Sequence, residues 1–313
     1  MRIVQSANPV FNRSDQVTVR EMGNITEVVQ ILHRSTKAYI RKVDKDHYML
    51  CETGEILECN HIKSRADNTD SVRRSLKKLR DYLNTNVTDI KKCRWVTLTY
   101  AENMTDTKRL YSDFKNFILR FNYHCNKQGY GKPEYIVSCE PQGRGAWHCH
   151  IIFIFPKNAP FISNDILSSI WSHGYVSIKK IKDDVDNIGA YLSAYLGDME
   201  LTELNEIEND FSGKIKAVEI EEDGKKKEKY FVKGARLKYY PPNFNIFRVS
   251  RGIKKPIEYQ TYNLDAMEKV GFAEPTFQKT ISVIDDTAHE INRINYRYYK
   301  KYINNKQATT CSD

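Results

Sequence analysis

The sequence predicts an α+β fold in which a central antiparallel β-sheet is flanked by helices. Three observations carry this. The segments run strand, helix, strand, strand, helix, strand, helix, strand, without the regular alternation of a parallel α/β sheet. Several are joined by turns of about two to five residues, the length that antiparallel neighbours need. The apolar residues alternate in the strand segments and fall at helical spacing in the others.

Each element has its own signal. Residues 1–90 read as a polar, basic accessory segment and a candidate DNA contact. Tyr48–Leu57 is β-like. In "SVRRSLKKLRDYL", Val72, Leu76, Leu79 and Leu83 share a helical face, and Arg73, Arg74, Lys77, Lys78 and Arg80 cover the other. That basic face suits solvent or DNA equally. "RWVTLTY" (Arg94–Tyr100) alternates β-branched and aromatic residues, so it is a strand. A helix follows over Thr105–Lys127, with Leu110, Phe114, Phe117, Ile118 and Phe121 as its stripe. Thr105 or Asp106 caps it and Gly129 ends it. "EYIVSCE" (Glu134–Glu140) and "AWHCHIIFIF" (Ala146–Phe155) are strands joined by the turn "PQGRG", hence an antiparallel hairpin.

Ser163 caps a short helix through Trp171, and Gly174–Ile181 is a further strand. Asp183 or Asp184 opens a helix, "VDNIGAYLSAYLGD", that Gly197 closes. Residues 198–230 are charged and read as an insertion or mobile loop. "ARLKYY" and "NFNIFRVSRG" supply a later strand or two. The tail Ile291–Tyr302 reads as helical and basic-aromatic. The expected organisation is an accessory segment over 1–90, a catalytic domain over 91–252 and a C-terminal tail over 253–313.

Composition narrows the function. The 313 residues suit one large domain or two modest ones, and 40% hydrophobic with 28% charged residues is a globular mixture. A net charge of +9 favours an anionic partner, nucleic acid first. Twenty tyrosines among basic residues suit stacking on unpaired bases. Seven cysteines without a CxxC pair argue for reduced thiols and a cytoplasmic protein. Cys51, Cys59 and His61 are a weaker zinc candidate, lacking the usual paired spacing. No apolar run reaches the roughly 18 residues of a membrane helix, and no signal peptide is evident at the start.

In a strand, residues two apart project from one face. His148 and His150 therefore point together, with Ile152 and Ile154 beyond them, while Trp147, Cys149, Ile151 and Phe153 take the other face. Glu140 ends the neighbouring strand, just across the turn. Two imidazoles and a carboxylate make a divalent-metal site with open positions, where a phosphate oxygen can be polarised. Without Glu140, two structural histidines would be the simpler reading. Tyr191 and Tyr195 lie four apart on one helical face. A tyrosine hydroxyl beside a Lewis-acid metal can attack a phosphodiester and hold DNA covalently.

Three blocks, "WVTLTYAEN", "CEPQGRGAWHCHIIF" and "IGAYLSAYLGD", resemble motifs one to three of the HUH endonucleases. The branch they most resemble is that of the rolling-circle replication initiators (Rep) of bacterial plasmids, integrative elements and small single-stranded DNA phages. The likeness covers about residues 91–198 and extends more weakly through "RLKYYPPNFNIFRVSRGIKKP"; "KSRADN…SLKKLRDYLNTN" is also similar to Gram-positive Rep proteins. The resemblance implies an antiparallel sheet with the two histidines on a middle strand. It implies Mg²⁺ or Mn²⁺ on Glu140, His148 and His150, and Tyr191 as first nucleophile with Tyr195 alternating. The implied product is a 5′-phosphotyrosine with a free 3′-hydroxyl for a host polymerase.

One departure stands out: where the family pattern is YxxKY, this chain has Ala194. Lys179, Lys180 or Lys182 can replace the missing cation. Arg144, in the turn, is a candidate phosphate contact. Tyr296, Tyr298, Tyr299 and Tyr302 can stack on single-stranded DNA or pack on the sheet. No GxxxxGK[ST] loop is present, so a host helicase is the expected partner beside an origin hairpin. A relaxase or transposase of the same class, or a non-catalytic DNA-binding protein on a decayed scaffold, are the alternatives.

Overall fold

A computed structural model describes residues 2–6, 11–34, 38–61, 68–142, 144–181, 199–200, 215–222, 225–232 and 235–300. The elements in chain order are β1 (Arg2–Ser6), β2 (Gln16–Met22), β3 (Ile25–Ile31), β4 (Ile40–Lys42), β5 (His47–Leu50), β6 (Ile56–Glu58) and α1 (Thr69–Asn86). Then come β7 (Cys93–Thr99), α2 (Thr107–Lys127), β8 (Glu134–Pro141), β9 (Trp147–Ile154), α3 (Asn164–Trp171) and β10 (Val176–Lys179). The rest are β11 (Met199–Glu200), β12 (Ile215–Glu222), β13 (Lys225–Val232), β14 (Phe247–Val249), β15 (Ile257–Tyr262), α4 (Asn263–Lys269), β16 (Phe277–Ile284) and β17 (Glu290–Lys300). The class is α+β, with antiparallel sheets. Two compact units divide the chain: Ile62–Lys255, and Met1–His61 together with Pro256–Asp313. Among the described residues no helix is long and apolar enough to cross a membrane.

The unit Ile62–Lys255 is built on a five-stranded sheet in the order β10-β7-β9-β8-β14, each pair antiparallel. The strand with the two histidines, β9, is the middle one. Alternation sorts its residues: Trp147, Cys149, Ile151 and Phe153 are buried, while His148, His150 and Ile154 are partly exposed. On the buried side lies α2, begun by Asp106, whose carboxylate accepts from the backbone N–H groups of Lys108 and Arg109. Its stripe packs onto β9, Phe121 stacking on Phe153 at 4.4 Å. Each fully buried Phe contributes about 1.5–3 kcal/mol. Ser163 caps α3, whose Trp171 donates from Nε1 to the Thr99 carbonyl at 3.0 Å. Over the histidine face lies α1, its Leu79 and Leu83 clustering with Ile136 and Ile152.

In the other unit a six-stranded sheet runs β1-β16-β17-β3-β2-β15. Val17, Val19, Val28, Tyr299 and Ala266 form its apolar cluster, the last brought by α4. A polar ladder crosses the same sheet. Thr280 donates to Asn295 Oδ1 at 2.8 Å, Asn295 to Gln30 Oε1 at 2.6 Å, and Gln30 to Asp15 Oδ2 at 2.6 Å. Beside it β4, β5 and β6 form a small meander.

Several expectations are corrected. The tail is not helical: Glu290–Lys300 is a strand, paired on both sides by β16 and β3. Its inward positions carry Asn295 and Arg297, so no apolar alternation advertised it, and the ladder satisfies them instead. Tyr296, Tyr298 and Tyr299 thus belong to the sheet, with Tyr299 buried; Tyr302 lies outside the described residues. Within the charged stretch 198–230, β12 and β13 pair as a ribbon rather than a loop, with Asp223-Gly224 between them in sequence. "ARLKYY" forms a 3₁₀ turn over Ala235–Tyr239, not a strand. The boundaries also differ from those expected: α1 belongs to the sheet of β7–β10, and the stretches before His61 and after Pro256 share one unit.

Candidate metal centre

The hairpin β8–β9 pairs Glu140 directly with His148 and Ser138 with His150. On the opposite side β7 pairs Thr99 with His148 and Thr97 with His150. All six residues therefore share one face. The turn between β8 and β9 is closed by the Gln142 N–H donating to the Ala146 carbonyl at 2.7 Å. Trp147 anchors the start of β9, its indole N–H donating to the Thr105 carbonyl at 3.0 Å and its ring stacking on Phe244 at 4.5 Å. Behind the histidines, Cys139 and Cys149 face each other at 3.6 Å between sulfurs. The two histidines thus stand on a packed, immobile base.

A ligand atom from each of Glu140, His148 and His150 falls within 4.8 Å of the others. Glu140 Oε1 lies 2.7 Å from His150 Nε2. The carboxylate side chain is only 8% exposed while that of His150 is 24% exposed, so the group opens to solvent on its imidazole side. A carboxylate held at such burial needs a cationic or hydrogen-bonding partner. The far nitrogen of His150, Nδ1, is 3.2 Å from the Thr97 hydroxyl, and Trp95 packs edge-on to the ring at 6.2 Å. The donor set, one hard oxygen and two imidazole nitrogens, fits Mg²⁺ or Mn²⁺ and other divalent ions.

Of the residues expected from sequence, the structure brings together Glu140, His148 and His150. Arg144 sits exposed in the connecting turn, its Nε donating to Gln142 Oε1 at 3.1 Å. Lys179 is exposed at the end of β10 and pairs with Trp95, which pairs with Ile152. It therefore shares the histidine face, one same-face step beyond the row of His150 and on the edge strand. Lys180 follows it and is exposed. Tyr191, Tyr195 and Lys182 lie outside the described residues, as does Ala194. Among the described residues no metal cluster forms at Cys51, Cys59 and His61, and His61 Nε2 faces Asp46 Oδ1 at 2.9 Å. Thr97 escaped the sequence reading. Its signal is the Thr97–Leu98–Thr99 alternation, which mirrors His148–Cys149–His150 across the strand pair.

Comparison with known proteins agrees with this geometry. Residues 93–200, about a third of the chain, match the family model described as replication-associated protein, of the ORF2 type. Among curated proteins none matches the chain. The matched span contains β7, α2, the hairpin with its three metal-ready side chains, and both tyrosines of the "IGAYLSAYLGD" block. Through residues 93–200 the chain belongs to this family of replication-associated proteins, as the resemblance to rolling-circle initiators implies.

Proposed function

We propose that the protein initiates rolling-circle DNA replication by nicking and rejoining one DNA strand. The observation that carries this reading is the convergence of Glu140, His148 and His150 on the middle of a family-matched sheet. Glu140, His148 and His150 would hold Mg²⁺ or Mn²⁺, which when bound supplies Lewis-acid polarisation of a phosphate oxygen. Tyr191 is the first nucleophile. Its hydroxyl oxygen forms the bond to phosphorus, the bond to the 3′-oxygen breaks, and the tyrosine proton leaves to solvent while the 3′-oxygen gains one. The products are a 5′-phosphotyrosine and a free 3′-hydroxyl that a host polymerase extends. Tyr195 performs the second transfer, which closes the displaced strand.

The remaining residues position the DNA. Arg144 contacts a phosphate beside the hairpin turn. Lys179, Lys180 and Lys182 provide the positive charge that the family pattern places at the position of Ala194. A host helicase opens the duplex, and the substrate is single-stranded DNA or an origin hairpin.

The test is covalent capture. The full chain is incubated with a randomised pool of labelled single-stranded DNA and Mn²⁺, and adducts are sought on a denaturing gel and mapped by peptide mass spectrometry. An adduct on Tyr191, lost in Tyr191→Phe with Mn²⁺ affinity unchanged and lost in His148→Ala with Mn²⁺ affinity weakened, is the expected result. An adduct on Tyr195 alone reverses the assignment of the first nucleophile. Metal and DNA binding without any adduct would identify a non-catalytic DNA-binding protein.

A further inference from the structure

We infer that Thr97 is the positioning residue for His150, setting through its hydroxyl which ring nitrogen is offered to the metal. The inference rests on the metal reading of Glu140, His148 and His150. The 2.7 Å contact between His150 Nε2 and Glu140 Oε1 requires a hydrogen between two atoms that otherwise present lone pairs to each other. Without metal that hydrogen sits on Nε2, and Nδ1 accepts from the Thr97 hydroxyl at 3.2 Å. When Nε2 serves as a ligand, its hydrogen is gone and the neutral ring carries its hydrogen on Nδ1. Nδ1–H then needs an acceptor, and Thr97 Oγ1 is in place to be one.

A hydroxyl is the group that fits both states, because it donates or accepts by rotating about one bond. Backbone carbonyls and carboxylates can serve only the second. Ser138 flanks His150 from the other strand, but its hydroxyl is committed to the Ile246 carbonyl at 3.1 Å. Thr97 is held by its own strand, paired with His150 on one side and Ser177 on the other, so its oxygen cannot drift. Such partners of metal-bound histidines fix ring orientation and basicity, and losing one costs about 10–100-fold in metal affinity.

The experiment measures Mn²⁺ affinity of the full chain by calorimetry, with the wild type as reference. Thr97→Val keeps the β-branched shape and strand preference but removes the hydroxyl. It should weaken binding about 10–100-fold, while Thr97→Ser, which keeps the hydroxyl, stays within about threefold of wild type. In a His150→Ala background, Thr97→Val should cause no further loss, because the residue acts through that ring. If Thr97→Val fails to fold, Thr97→Ala replaces it in the same comparison. Wild-type affinity in the hydroxyl-free variant overturns the inference. So does equal loss in Thr97→Ser, or an undiminished loss in the His150→Ala background; each points to packing alone. A wild-type chain that binds no Mn²⁺ overturns the metal reading itself and is distinguished by that first titration.

Discussion

Along β9 alternate residues do opposite work, and both halves were legible because a strand has a period of two. His148 and His150 face outward to Glu140, one turn away in sequence. Cys149 faces inward onto Cys139, and its thiol is pushed well above the ordinary range, first by the hydrogen bond with Cys139 and then by burial. Burial also raises Cys93 to about 12 and Cys125 to about 11. These thiols stay protonated near neutral pH and therefore unreactive. Iodoacetamide at pH 8 should modify exposed Cys51 first and leave Cys93, Cys125, Cys139 and Cys149 untouched until denaturant is added, as peptide mass spectrometry would read. Labelling of Cys149 as fast as Cys51 would contradict the packed inner side of the strand. Thr97 was not legible in the same way. It stands 53 residues from His150, and only strand pairing brings the two side chains together.

At the scale of elements, local chemistry announced what local chemistry decides. The caps at Asp106 and Ser163, the stripe of α2 and the hairpin turn were all readable, since each is settled within a few residues. Gly174 shows the same determinism at the link from α3 to β10. Its φ is +148°, and a Cβ there would come within 2.3 Å of the Ala101 nitrogen and 2.6 Å of the Thr99 carbonyl oxygen. Gly174→Ala should therefore destabilise the fold by about 1–3 kcal/mol, measured as a lower denaturant midpoint; an unchanged midpoint would refute the close approach. Elements whose burial is polar were hidden. In β17 the fully buried Asn295 occupies a position where a pattern search expects an apolar residue. By contrast β2 and β3 carried a readable sign, Val17 and Val19 alternating with polar residues before the turn at Gly23, whose φ is +56°.

On the scale of the whole molecule, the sheet of β1–β3 is completed only by strands after Pro256. The hairpin β2–β3 takes β15 on one side and β17 on the other, so neither edge is closed by a neighbour in sequence. A chain ended at Lys255 should leave Met1–His61 open to protease while the rest resists, as limited proteolysis would show. Equal resistance of both parts would mean that the early strands stand alone. This division was beyond sequence pattern, which records neighbours along the chain and not partners hundreds of residues apart. The same arrangement governs how the protein emerges from the ribosome. Translation at about 5–20 residues per second leaves β2–β3 waiting roughly 10–45 s for β15, while the entire metal-bearing unit is made in the interval. The nascent chain therefore completes its middle before its beginning, with the first hairpin dependent on chaperones or its own marginal stability until the last strands arrive.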